Sequence, residues 1–186
     1  VKARLEDTRV APSALEPRAA VGSWDEKAGR YTLVAGTQGV AVVRKFLAES
    51  VFKVAAEKVR VVTHDVGGGF GMKVQPYAEY AALLLAAKRC GRPVRWRATR
   101  LESFLADTHG RDGILEGELA LDAEGRFLAF RARTKVGIGA YASTYSAIIA
   151  TNNTKNCLSS VYRIPAIHIG VSMVLTNAAP LGPYRG

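Results

Sequence analysis

Cysteine is scarce. The 186 residues hold two, Cys90 and Cys157, far apart and with no Cys-x-x-Cys spacing. That excludes a thiolate-held iron–sulfur cluster or a structural zinc site on this chain. One disulfide stays open, with two inert thiols the expectation. Long apolar runs are also lacking. The longest, residues 81–87, is far short of the roughly 20 residues that a membrane span requires, so no membrane association is expected. No secretory signal pattern precedes the first strand, and the compartment expected is the cytoplasm. No Gly-x-Ser-x-Gly occurs, which argues against a hydrolase built on a nucleophile elbow. The chain opens on Val1 and stops at Gly186, and reads as a piece cut from something longer.

What remains is ordinary for a globular protein: 48% apolar and 23% charged residues in 186. The length suits a single domain over residues 1–186. Basic residues exceed acidic ones, 26 to 16, for a formal net charge of +10. Such a balance keeps an anionic partner in play: nucleic acid, a phosphate-bearing cofactor or an acidic subunit. Six cations fall between Lys88 and Arg100. Arg95 and Arg97 alternate with Val94, Trp96 and Ala98, as on a half-solvated strand, and interleaved aromatics for base stacking are missing. Nucleic acid is therefore not the expected partner, and a surface for subunit or lobe contact fits better.

Apolar periodicity and turn residues place strands at 15–24, 30–37, 58–64, 94–99, 114–121, 126–138 and 166–176. Helices are expected at 40–50, with Val43, Phe46, Leu47 and Val51 on one stripe, and at 77–89, opened by Pro76 and capped by Gly91. A short helix is expected near 145–151. Hairpins mixed with helices point to an α+β fold rather than a regular doubly wound one.

Four of the 18 glycines stand within five residues, Gly67-Gly68-Gly69-Phe70-Gly71. The loop leaves an apolar strand and is expected to lead into a helix, where bare amides and the helix dipole suit an anion. Neither the dinucleotide fingerprint GxGxxG nor the P-loop spacing GxxxxGK[ST] is satisfied: Met72 separates Gly71 from Lys73, and Val74 follows. A tight bend without a ligand is the simpler reading of the loop taken alone. Thr37-Gln38, between a strand and a helix, and Thr176-Asn177 with Gly182-Pro183-Tyr184-Arg185-Gly186 are two further candidate loops. The histidines His64, His109 and His168 are scattered. Asp107 and His109 in a polar loop, and Tyr141, Ser143 and Tyr145, are weaker candidates for lining a pocket.

Taken in order, these stretches resemble the molybdenum-cofactor-binding large subunit of the xanthine oxidase, aldehyde oxidase and aerobic carbon monoxide dehydrogenase family. Ala11-Pro12 with Glu16-Pro17-Arg18 is similar to that family's opening segment. Residues 31–38, ending in Thr37-Gln38, are similar to its Thr-Gln segment. Val59-Arg60-Val61-Val62 and Val66 to Gly71 are similar to its cofactor loop. Tyr162 to Pro165 and Thr176-Asn177 to Tyr184-Arg185-Gly186 are similar to its second loop. The likeness covers almost the whole chain, and the GGGFG loop is its most specific part.

The resemblance implies an incomplete molybdopterin-binding lobe, cut from an enzyme that oxidises an aldehyde or aromatic heterocycle with water as the oxygen source. It implies a molybdenum–pyranopterin, as molybdopterin or its cytosine dinucleotide. FAD and a 2Fe-2S centre would lie on partner subunits or domains, and a small molecule would be the substrate. Gln38 is implied as the catalytic donor to the molybdenum oxo group. Gly68, Gly69, Phe70, Gly71 and Arg185 would join it in binding the cofactor, with no side chain on this chain ligating the metal. The family's catalytic Glu would lie beyond this chain, as would the rest of the large subunit. Val74 stands where purine-oxidising members carry a Glu, and Gly186 where copper-containing carbon monoxide dehydrogenases carry a Cys. Both departures point away from those substrates. The alternative is a non-catalytic basic module that contacts nucleic acid or another subunit.

Overall fold

The computed structural model describes residues 1–185. Among them the strands, in chain order, are β1 (Lys2–Asp7), β2 (Ala19–Asp25), β3 (Arg30–Ala35), β4 (Val59–Val62), β5 (Val94–Arg97), β6 (Gly113–Leu121), β7 (Phe127–Gly139) and β8 (Ala166–Leu175). The α-helices are α1 (Val40–Lys45), α2 (Ala78–Cys90), α3 (Arg100–Ala106), α4 (Ser146–Ile148) and α5 (Thr154–Cys157). Helices and mixed sheets make the fold α+β, as the hairpin pattern implies. Contacts gather into two compact units, one of Pro12–Asp107 and one of Val1–Ala11 with residues 108–185.

In the Pro12–Asp107 unit a sheet runs β4-β3-β2-β5, with β3 and β4 parallel and the other pairs antiparallel. Alternation along β3 turns Tyr31, Leu33 and Ala35 inward. They meet Val43 and Leu47 from the first helical segment and Tyr80, Leu83 and Leu84 from α2. Leu33 and Leu84 are fully buried, and each such side chain contributes about 1.5–3 kcal/mol over the exposed state. The β2–β3 turn is set by Asp25, whose carboxylate accepts from the Ala28 N–H at 3.0 Å.

Two expectations for this unit need correction. The stripe Val43, Phe46, Leu47, Val51 is split: Val43 and Leu47 are buried, whereas Phe46 and Val51 are each 37% exposed. The reason is that α1 continues as a π-helix over Phe46–Phe52. Its wider turn brings residues five apart onto one face, so Ala48 joins Val43 inside. Second, the glycine loop does not run into α2. A single 3₁₀ turn, Met72–Val74, follows it, and α2 begins only at Ala78 with Tyr77 as its N-cap. Pro76 therefore lies outside the helix, and α2 does not open directly on the loop. Gly91 does cap α2, in the left-handed conformation at φ 63°.

In the other unit the sheet runs β1-β6-β7-β8. Asp122 closes the β6–β7 hairpin by accepting from the Glu124 and Arg126 N–H groups at 3.0 and 2.8 Å. β8 lies parallel to β7, reached through α4 and α5. Strand β1, pairing antiparallel with β6, was not expected; all six of its residues are exposed, so it lacks the alternation that marks a half-buried strand. Cys90 and Cys157 are both free and exposed. Among the described residues no helix is long and apolar enough to cross a membrane.

Candidate functional site

Gln38 stands between β3 and α1. Its backbone is held by the Lys73 carbonyl, which accepts from the Gln38 N–H at 3.1 Å and from the Thr37 hydroxyl at 2.8 Å. Thr37 is buried, and its hydroxyl oxygen also accepts from the Gly39 N–H at 3.1 Å. The Thr-Gln pair therefore divides its tasks. Thr37 fastens the backbone, and Gln38 is left to project from the surface, where it is exposed.

The Gln38 side chain lies on the glycine loop. Its Oε1 accepts from the Gly71 N–H at 2.9 Å. A Cβ added at Gly69 would fall inside the Gln38 carboxamide. Gly71 has φ 95°, a conformation that L side chains rarely adopt, so both close approach and backbone geometry require glycine here. Because Oε1 is committed to Gly71, the amide orientation is fixed and the outward-facing end is the NH₂ donor. Among the described residues nothing accepts from that NH₂, nor from the Gly69 N–H. Phe70 adopts a left-handed conformation at φ 53° and is 37% exposed, with its ring edge over Gly68. The structure thus brings Gln38, Gly68, Gly69, Phe70 and Gly71 together within one unit.

Arg185 belongs to the other unit, at the end of the second loop, exposed and with φ 48°. That loop is pinned from several sides. The Leu181 carbonyl accepts from the Ser143 and Ser146 hydroxyls at 2.5 and 2.8 Å. The Gly182 N–H donates to the His109 carbonyl at 2.7 Å, and the His109 N–H to the Pro180 carbonyl at 3.0 Å. Ser143 and His109, weak pocket candidates in the sequence, are thus partners of this loop's backbone.

Charged residues to which the sequence alone assigns no role hold the rest. Glu16 accepts from Lys73 Nζ at 2.6 Å and from the Gly67 N–H at 2.9 Å. The Lys73 hydrogen bond outweighs the effect of burial and keeps the Glu16 carboxyl below the usual carboxylate range. Arg18 is fully buried; it pairs with Asp107 and, at 2.7 Å, with Glu79, and its guanidinium lies 3.6 Å over the Tyr77 ring. Burial pushes the Arg18 pKa down, and the two carboxylates more than reverse that. Asp107 is therefore an internal counter-ion, buried beside Arg18, rather than the pocket-lining carboxylate that the sequence suggested. The signal available for Glu16 and Arg18 was a pair of charges around Pro17, at the start of the strand expected over 15–24; β2 begins only at Ala19.

Compared with known proteins, residues 1–186 match throughout the profile of the molybdopterin cofactor-binding domain. The chain belongs to the molybdopterin cofactor-binding domain family. It is 34% identical over 178 residues to the carbon monoxide dehydrogenase large chain of Hydrogenophaga pseudoflava, a match that covers 95% of this chain and 22% of that one. It is 33% identical to the 6-hydroxypseudooxynicotine dehydrogenase complex subunit gamma of Paenarthrobacter nicotinovorans, covering 92% of this chain and 21% of that subunit. Among solved structures, quinoline 2-oxidoreductase from Pseudomonas putida 86 superposes with a TM-score of 0.94 at 33% identity, over all of this chain and 24% of that one. This molybdopterin-binding chain thus spans about a fifth of the length of its curated relatives.

Proposed function

We propose that this chain is the N-terminal part of the cofactor-binding region of a molybdenum hydroxylase or dehydrogenase large subunit. Its substrate would be an aldehyde or an aromatic heterocycle, oxidised with water as the oxygen source. The observation that carries this reading is the Gln38–Gly71 hydrogen bond, which turns the Gln38 NH₂ away from the loop with no protein acceptor among the described residues. A neutral amide donor beside a glycine backbone suits an oxygen ligand of a charged centre, because it adds a hydrogen bond without adding charge. The residues present therefore fit a molybdenum–pyranopterin, as molybdopterin or its cytosine dinucleotide. When bound, that group supplies the redox chemistry at the substrate carbon.

The chain's own residues position and exclude. Gln38 donates through Nε2. Gly68 and Gly69 keep the loop free of side chains, so that the cofactor can approach the backbone. Phe70 and Gly71 set the loop's edge, and Arg185 presents the second loop. The catalytic base lies elsewhere in the large subunit. Iron–sulfur and flavin subunits or domains take the electrons onward, and the assembly works in the cytoplasm.

For substrate choice, Val74 offers no carboxylate to a purine, which favours the aldehyde or heterocycle class. The quinoline and 6-hydroxypseudooxynicotine named for two relatives are nitrogen heterocycles. Gly186, which lies outside the described residues, disfavours a copper centre, because glycine has no sulfur to bridge a copper. Within that subunit, residues 1–186 form part of a single cofactor-binding domain. In the full-length protein, Gln38→Ala is expected to lower turnover by about 10²-fold, the usual loss for one positioned donor. Wild-type turnover in that variant would overturn the role of Gln38.

A further inference from the structure

Residues 12–18 have no helix or strand, yet the segment is fastened at several points. The Arg18 carbonyl accepts from the Ala98 N–H at 2.9 Å, and the Leu15 carbonyl from Arg100 at 2.8 Å. Between these anchors Glu16 meets the glycine loop at both of its ends. The Glu16 N–H donates to the Gly67 carbonyl at 3.0 Å, and Glu16 Oε2 accepts from the Gly67 N–H at 2.9 Å. The same Oε2 accepts from Lys73 Nζ at 2.6 Å, six residues further on. Space is reserved for this carboxylate. A Cβ at Gly67 would stand 2.6 Å from the Glu16 Cβ, and one at Gly36 would stand 3.3 Å from its Oε2.

Lys73 is fully buried, and a buried ammonium requires a close counter-charge. Glu16 supplies it. Lys73 in turn offers its carbonyl to the Gln38 N–H and the Thr37 hydroxyl. A continuous set of contacts thus runs from Glu16 through Lys73 to the backbone that carries Gln38. The Gln38 carboxamide then returns to Gly71, between the two ends that Glu16 holds.

We propose that Glu16 is a positioning residue of the cofactor site: its carboxylate clips Gly67 to Lys73 and so fixes the spacing between the glycine loop and the Gln38 amide. The proposal rests on the function given above. It adds that the precision of the donor depends on a charge outside the loop.

Three full-length variants test it, each compared with Gln38→Ala and with turnover normalised to bound molybdenum. Glu16→Ala is expected to lower kcat by about 10-fold to 10²-fold with KM little changed, since a misplacement near 1 Å at a reacting centre costs that much. Glu16→Gln is expected to recover only part of the loss, because its amide oxygen can still accept from Gly67 but leaves the buried Lys73 ammonium without a counter-charge. The second readout is amide hydrogen exchange in protein prepared without cofactor. Exchange at Gly67 and Gly71 is expected to rise in Glu16→Ala and in Lys73→Met, while α2 exchanges as in the wild type. Unchanged kcat and unchanged loop exchange in Glu16→Ala would overturn the proposal. So would exchange that rises through α2 together with the loop, which marks a role in folding alone. Should Glu16→Ala fail to fold, Lys73→Met decides by the same two readouts. A loss in Gln38→Ala without one in Glu16→Ala defeats only the clip; wild-type turnover in Gln38→Ala defeats the functional reading itself.

Discussion

Gln38 and Gly71 are joined by a hydrogen bond of 2.9 Å, in which the glycine N–H donates and the carboxamide oxygen accepts. This one contact links two loops that are 33 residues apart in sequence, and it decides which end of the carboxamide is presented outward. It also separates two properties of Gln38, accepting from the loop and donating away from it.

Substitution can divide those properties. Gln38→Glu keeps an acceptor for Gly71 but, when ionised, has no hydrogen to donate. It is expected to leave the loop in place and still to lose turnover by about 10²-fold, as Gln38→Ala does. Steady-state kinetics of the two full-length variants at equal molybdenum content checks this.

Gly69 is the position where space is tightest. Gly69→Ala places a methyl group where the Gln38 carboxamide lies, so the side chain must leave Gly71. The expected result is a turnover loss of about 10-fold or more from misplacement of the donor. The melting temperature is expected to move little, because Gln38 is exposed. Turnover and thermal unfolding of the same preparation check both parts.

The Arg18 cluster makes a prediction about stability and pH. Burial pushes the Glu79 carboxyl up, and Arg18 more than reverses this, leaving its pKa below the ordinary value. A lowered carboxylate pKa gives stability that is present above the unfolded value, about 4.3 for Glu, and lost as pH falls through the folded one. Arg18→Met leaves Asp107 and Glu79 without their cation, and is expected to cost about 3 kcal/mol. Burial is then the largest influence left on Glu79, so its carboxyl moves up and the slope reverses: stability falls as pH rises through the weakly acidic range. Urea unfolding at a series of pH values, for wild type and variant, measures both effects.

Helix α3 carries a smaller test. Thr99 accepts from the Glu102 N–H at 3.2 Å, and Glu102 accepts in return from the Thr99 N–H at 2.6 Å. Thr99→Ala removes half of this capping box and is expected to cost about 1 kcal/mol, seen as faster amide exchange in α3.

The sequence made legible what depends on local pattern. The hairpin around Asp122, the cap at Gly91 and the strand that leads into the glycine loop follow from turn chemistry and alternation. The proximity of Gln38 to that loop was an expectation from family resemblance, and its geometry came only with the fold. Other elements were not legible, for physical reasons. β1 pairs along a sheet edge with every residue exposed, so no alternation marks it. α3 has a capping-box signature at Thr99 and Glu102, but Leu101, Phe104 and Leu105 are exposed, and no buried stripe drew attention to it. The π-wound turn after α1 altered which side chains face inward, a change that a 3.6-residue period cannot register. Glu16 and Arg18 went unassigned because a paired charge is identified by its partners, and theirs lie 57, 61 and 89 residues away.

The most direct test is a structure of the full-length, cofactor-loaded protein. Gln38 Nε2 is expected within about 2.7–3.2 Å of an oxygen ligand on the molybdenum, with Gly71 still donating to Oε1. A cofactor bound away from residues 67–71, or a Gln38 amide turned from it with no shared hydrogen bond, would contradict the proposed site.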